Sequence, residues 1–544
     1  MTTIKNNARR RFMVQSGLGL LALSGIPSYL QAMEGMKELP RIAARKANPN
    51  FKADVEFDLY CRPSKVSILT GTETQVLQYS AVLKKGPKLT LSDIPGSYLG
   101  PIIRLQKGQK VRIVLHNDLS ESSVTHWHGL HVPADMDGSP MYAIEPGATL
   151  VYEFEVLNRA GMNIYHPHPH EATARQVYQG LAGALFVHDE EEAKLELPSG
   201  EYEIPIVIQD RLFDEQNQLI YVRSKHQRMS GFYGNRILVN GRPDVKIDVA
   251  SRAYRLRILN GSNARIYKLA WDDGTPITVI GVDGGLLEQP EVKTYVMLAP
   301  GERLDIWADF SGRNAGSQLV MRSLAFTGAL PKMAERMGNM MHANQLPVGS
   351  DYPIFTVRVT KEVSDSPKLP AQLSSFSRYH INDVANPQKP VPIAISEGPM
   401  AMLLNGRAYA DNDVQDFERI KLNTLQLIEI FHAPGGMGMG MGMRHNSGSM
   451  GMMGGMMSMA HPIHLHGQQF QIISRSISSD KAADYETVRH GFIESGLKDT
   501  VLVMPGENVR IIKPFQDFKG LFMYHCHNLE HEDMGMMREF SVEV

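Results

Sequence analysis

Four short histidine motifs could do chemistry in this chain: His126-Trp127-His128, His166-Pro167-His168, His461-Pro462-Ile463-His464-Leu465-His466 and His525-Cys526-His527. A β-strand sends residues i and i+2 to the same face, so each His-x-His can aim two imidazoles at one place. One such pair is often no more than two half-buried, hydrogen-bonded histidines. Four pairs, grouped toward the two ends of the chain, point to bound metal. The last motif continues to His531 and Met536, five and ten residues beyond Cys526. Two histidines, a thiolate and a weak axial thioether form the ligand set of a blue-copper electron-transfer site, with His461 as the candidate second histidine. Zinc accounts for these residues poorly, because a structural zinc site is usually cysteine-rich, closes with four ligands and would leave most of the histidines unused. Cys61 and Cys526 are the only cysteines beside 20 histidines and 31 methionines. No disulfide is expected, and Cys61 reads as a small buried apolar residue.

The elements that must position these motifs are short strands. Alternating runs such as Lys110–Leu119 and Tyr254–Ser262 are separated by Gly, Pro, Asn and Asp turns, the pattern of β-sandwiches or barrels, and amphipathic helices are scarce. One unit recurs three times: a turn at Glu145-Pro146-Gly147, Ala299-Pro300-Gly301 or Met504-Pro505-Gly506, followed each time by an alternating strand. A second repeat pairs the segment from Ile237, which reads ILVNGRP, with LLNGRAY from Leu403. At 544 residues the chain exceeds a single core. The expected fold is all-β, with three units at 50–190, 200–362 and 375–544 and a charged linker from Lys361 to Pro370. Between 435 and 459, methionine alternates or clusters with glycine, which makes neither a stable helix nor a good strand and reads as a loop. Met333, Met337, Met340 and Met341 form a second methionine group at helix-compatible spacing.

In this order and placement the four motifs resemble those of the multicopper oxidases, and the layout, with Gly180-Leu181-Ala182-Gly183, is similar to the bacterial copper-efflux oxidases and laccases. The resemblance implies three consecutive cupredoxin-like Greek-key β-sandwich domains and four copper ions per chain. It places His461, Cys526, His531 and Met536 on a type 1 copper and His126 and His464 on a type 2 copper. It assigns His128, His166 and His527 to one type 3 copper and His168, His466 and His525 to the other. Cys526 would then join the electron-entry copper to the cluster through its two neighbours. Reducing dioxygen to water takes four protons as well as four electrons, and the resemblance gives that supply to Asp137, nine residues beyond His128, and Glu532, next to His531. Asp137 also sits in the turn sequence Met136-Asp137-Gly138, where a merely structural carboxylate is the rival reading. His170 has no ligand role left and is expected to be solvated.

The electron donor is open between a reduced metal ion and phenols or aromatic amines. The Gly-Met loop ends two residues before His461, and thioethers suit Cu(I) over hard cations, which favours a metal-ion donor in copper tolerance or metal homeostasis. A tolerated flexible insertion is the alternative. A copper-storage protein would not need His525-Cys526-His527, and a nitrite reductase would lack the second His-x-His set. A net charge of -2 gives no pull toward nucleic acid. Arg9, Arg10, Arg11 and Phe12 ahead of a weakly apolar run to Ile26 resemble a twin-arginine export signal over residues 1–32, which implies a periplasmic protein. No stretch reaches the roughly 20 apolar residues of a membrane span. A monomer is expected.

Overall fold

The computed structural model describes residues 45–331, 346–398, 401–433 and 458–544. The signal-like segment, the methionine group at 333–341 and all of the 435–459 loop except its last two residues lie outside the described residues. Strands dominate, and among the described residues no helix exceeds six residues. None is long and apolar enough to cross a membrane.

Three cupredoxin-like sandwiches follow one another. In the first, a sheet ordered Thr74–Lys85, Val55–Val66, Lys110–Asn117, Thr149–Glu155 faces a second that carries Thr125–His126 and Gly161–Pro167 at one edge. Val55, Phe57, Leu59 and Cys61 alternate inward from the first sheet and meet Ile103, Leu105, Leu185 and Val187 from the second. The middle sandwich packs a seven-stranded against a five-stranded sheet around Leu256, Ile258, Ile306 and Val357. The third packs two five-stranded sheets around Ile393, Ile430, Ile463 and Cys526. In every unit the opening strand pairs in parallel with a later one: Val55–Cys61 with Val111–Asn117, Glu203–Ile208 with Arg255–Asn260, and Val391–Ile395 with Ile428–His432. Such pairing requires a crossover between the sheets rather than a hairpin.

Both sequence repeats correspond to repeated structure. The Pro-Gly turns lead into the strands Thr149–Glu155, Arg303–Asp309 and Glu507–Phe515. In the Asn-Gly repeat the asparagine stitches a hairpin to the neighbouring strand: Asn240 accepts from Val207 N and donates to Pro205 O, and Asn405 accepts from Ala394 N and donates to Pro392 O. Cys61 is fully buried, and its thiol is pushed up to about 12 by burial, as befits an inert core residue.

Candidate metal centres

The third unit places two centres back to back on one strand pair. His461–Leu465 runs antiparallel to Gly520–Cys526, with Ile463 opposite Cys526 and His464 opposite His525. Alternation therefore sends His461 and Cys526 to one face and His464 and His525 to the other.

On the first face, His461 Nδ1 lies 3.4 Å and His531 Nδ1 3.7 Å from the Cys526 sulfur. All three residues are fully buried, and their donor atoms lie within 4.8 Å of one another. His531 comes from the short helix Leu529–Asp533. The loop that follows is pinned where Met536 N donates to His531 O and Cys526 N donates to Met536 O, which leaves Met536 fully buried. Each histidine spends its other nitrogen on an acceptor: His461 Nε2 on Glu397 Oε1 at 2.9 Å and His531 Nε2 on the Met229 carbonyl at 3.0 Å. Donating there leaves both Nδ1 lone pairs facing the sulfur, the arrangement by which outer partners orient metal-ligating imidazoles. Burial pulls His461 below its usual range against the pull of Glu397, and burial with His461 as neighbour pulls His531 down to about 3. Burial pushes the Cys526 thiol up. A metal entering this site meets neutral imidazoles and must displace the thiol proton.

On the second face the first and third units meet. His168 Nε2 lies 3.3 Å from His525 Nε2, which lies 3.1 Å from His466 Nε2. His126 and His464 share a donor group with His466, and His126, His128 and His166 form another. His527 stands edge-on to His128 and His166, with ring centroids 4.9 and 5.4 Å apart. Six of the eight histidines donate one nitrogen outward: His126 to Asp137 O, His128 to Asp499 Oδ1, His166 to Pro167 O, His464 to Asp499 O, His466 to Asp137 Oδ2 and His525 to Cys526 O. The opposite nitrogens of His126, His128, His166 and His464, and both of His527, are buried without a protein partner. Burial, reinforced by the neighbouring rings and, at His128, ahead of them by the Arg303 cation, holds His128, His166, His168, His464 and His527 well below their usual range. Converging neutral lone pairs repel one another unless cations lie among them, so the donor set fits a cluster of imidazole-loving metal ions such as copper.

Asp137 is buried and tied to two of these rings, with Oδ2 2.6 Å from His466 Nδ1 and Oδ1 3.3 Å from His126 Nδ1. Burial raises its carboxyl, but His466 and His126 outweigh burial and hold it below the usual carboxylate range. Glu532, equally buried, stands 3.2 Å from His525 Nδ1 and 3.6 Å from His168 Nδ1, and neither of its oxygens has a hydrogen-bond partner. His170 departs from its expected solvation: it is half-buried, with its ring 5.3 Å from that of Tyr409, because the segment around Tyr409 packs over it.

Sequence reasoning missed Glu397 and Asp499. Both contact proposed ligands from positions far along the chain, and no motif marks Glu397. Asp499 carries one faint signal, lying between Lys498 and Thr500 where the strand Thr500–Val503 opens.

Residues 76–192 and 442–544 each match a family model described as multicopper oxidase. A multicopper oxidase of Staphylococcus aureus is 30% identical over 516 residues, covering 94% of each chain. A laccase of Bacillus subtilis is 29% identical over 78% of this chain and 81% of its own. The solved structure of a Campylobacter jejuni multicopper oxidase, described as a metallo-oxidase, superposes with a TM-score of 0.69 at 26% identity, covering 93% of this chain and 96% of that one. With its sandwiches, its histidine clusters and a relative alike over nearly its whole length, the chain belongs to the multicopper oxidases, copper-dependent oxidoreductases that use oxygen as acceptor.

Proposed function

We propose that this oxidase takes electrons one at a time from a small reducing substrate at a type 1 copper and delivers four of them to dioxygen at a three-copper cluster, giving water. His461, Cys526, His531 and Met536 would hold the type 1 ion. His126 and His464 would hold type 2, with His128, His166 and His527 on one type 3 ion and His168, His466 and His525 on the other. Bound copper supplies the one-electron redox steps and the dioxygen chemistry that no side chain of the protein provides.

The observation that carries this reading is the back-to-back strand pair. Cys526 is joined by one peptide bond to His525 and by another to His527, so a route from the electron port to the cluster runs through covalent bonds of the chain itself. Glu532, beside two cluster rings and without a hydrogen-bond partner, would pass protons inward. Asp137, held as an anion between His466 and His126, would orient both rings and share in the proton supply.

For the donor we favour Cu(I) or another reduced metal ion, with a role in copper tolerance or metal homeostasis. Support comes from the buried Glu397 carboxylate on the outer edge of His461 and from the methionine-rich segment that ends at Met459, whose amide donates to the same carboxylate. A laccase acting mainly on phenols is the second reading, favoured by the likeness to the Bacillus subtilis laccase. The twin-arginine-like segment supports export to the periplasm.

Copper content and oxygen uptake test the proposal together. Four coppers per chain, with dioxygen consumed in step with loss of Cu(I) at one per four electrons, is the expected result. Two coppers would indicate a two-site reductase layout, and variable loading without oxygen uptake would indicate storage. Faster turnover of phenols than of Cu(I) at matched driving force would move the donor to the laccase reading.

A further inference from the structure

The middle sandwich supplies none of the ligands proposed above, yet one of its arginines reaches the cluster. Arg303, 1% exposed, opens the strand that follows the Pro300-Gly301 turn. Its guanidinium makes a two-pronged ion pair with Asp499, from Nη1 to Oδ1 at 2.6 Å and from Nη2 to Oδ2 at 2.5 Å. The other three N–H groups go to carbonyls: Nε to Met162 O in the first unit, Nη1 to Gly301 O and Nη2 to Asp283 O. All five guanidinium donors are used, which a lysine cannot reproduce.

Asp499 in turn meets the two histidines that belong to different motifs. Its Oδ1 lies 3.0 Å from His128 Nε2 and its carbonyl 2.8 Å from His464 Nδ1, while Thr500 Oγ1 bridges the same two nitrogens at 3.3 and 3.2 Å. Because both carboxylate oxygens already face the arginine, Asp499 serves as a hydrogen-bond acceptor rather than as a third metal ligand. The hairpin tip at Asp283 completes the wedge. Asp283 Oδ1 accepts from Arg303 N, its Oδ2 pairs with Lys498 Nζ at 3.0 Å, and Gly284 N donates to Leu497 O at 2.8 Å. Gly301 closes against the cluster, where a Cβ would fall 3.0 Å from the His527 ring and 3.1 Å from that of His128.

We propose that Arg303 is a positioning residue of the cluster: acting from the middle unit through Asp499, it sets the ring orientation and tautomer of His128, assigned above to a type 3 copper, and of His464, assigned to type 2, and so steadies the type 2 ion beside its type 3 neighbour. This rests on the ligand assignment above. Locked in this way, Asp499 holds His128 through its carboxylate and His464 through its carbonyl, each ring with a nitrogen lone pair turned inward, and outer partners of this kind change metal affinity by about 10- to 100-fold.

The test uses the copper-loaded full chain with Arg303→Lys and Arg303→Met. Type 2 copper is followed by its paramagnetic resonance signal during competition with a chelator, and type 1 copper by its blue thiolate absorption. The expected result is release of type 2 copper at about 10- to 100-fold lower chelator concentration in Arg303→Met, an intermediate loss in Arg303→Lys, and unchanged type 1 absorption in both. Type 2 retention equal to the parent in Arg303→Lys overturns the proposal, and this variant decides the matter if Arg303→Met does not fold. Loss of both copper signals in equal proportion also overturns it, because Arg303 would then be general structural cement. A parent protein with no type 2 signal refutes the ligand assignment itself.

Discussion

Replacing Glu397 by glutamine changes one charge at the electron port and leaves the hydrogen bonds to His461 and Met459 in place. A single oxygen, Oε1, accepts both from His461 Nε2 at 2.9 Å and from Met459 N at 2.7 Å, and an amide oxygen can do the same. The carboxyl is held below its usual range: burial raises it, but hydrogen bonds from His432 and His461 outweigh burial, so at pH 7 the variant removes a full negative charge. A metal on His461 Nδ1 stands across the imidazole from that charge, about 7 Å away given a metal–nitrogen bond of about 2 Å. At an effective dielectric of about 20 this is about 2 kcal/mol of preference for the oxidised ion, or about 100 mV for one electron. Glu397→Gln should therefore raise the type 1 potential by up to about 100 mV while the blue band persists, as read by potentiometric titration of that band. Glu397→Ala differs, because it strands two buried donors at about 1–3 kcal/mol each and should lower the melting temperature as well. A shift in Glu397→Gln below about 20 mV, or in the negative direction, would refute the electrostatic coupling between this carboxylate and the port.

Cys526→Ser should abolish the blue absorption and steady-state turnover while histidine-bound copper stays, and a variant that remains blue would sink the type 1 assignment. Asp137→Asn and Glu532→Gln should slow reoxidation by air about 100-fold and leave anaerobic reduction by substrate nearly unchanged; stopped-flow traces in which both half-reactions slow equally would count against a proton role. Lys513, 1% exposed, is pushed down to about 7 by burial against the opposing pull of Asp499 and Asp137. An unfolded lysine titrates near ~10.4, so between about pH 7 and 10 the unfolded chain holds more protons and stability rises with pH, whereas below pH 7 the full burial penalty applies. Lys513→Met should accordingly gain several degrees in melting temperature at pH 6 relative to its difference from the parent at pH 10, and a pH-independent difference would contradict the burial argument.

What could be read from the sequence was whatever depends on spacing within one strand. His126 and His128, or His525 and His527, declare themselves because a pleated strand puts i and i+2 together, and Lys110–Asn117 and Ala253–Asn260 declare themselves by alternation. The three Pro-Gly turns and two Asn-Gly hairpins were visible because each is local backbone chemistry repeated per unit. Glu397, Asp499 and Arg303 were not visible: the two acids reach their histidines, and the arginine reaches Asp499, across a sheet or between units, and isolated acids and an arginine look the same whether solvated or buried. The half-burial of His170 was hidden for the same reason, since its neighbour Tyr409 belongs to the third unit. Its place beside a ligand motif carried no information about what packs over it.

The division of the cluster between the first and third sandwiches has a consequence for biosynthesis. His168 and His525, 3.3 Å apart in the fold, are 357 residues apart in the chain. A ribosome adding about 5–20 residues per second therefore displays the four histidines of the first unit for tens of seconds before the partners that complete their coordination are made. During that interval they form an open imidazole patch that attracts the same imidazole-loving ions without the affinity or the selectivity of the finished site. Metal that reaches the nascent chain can be captured there in the wrong number and identity, so correct loading favours a compartment, or a moment after release, in which free copper meets only the closed fold.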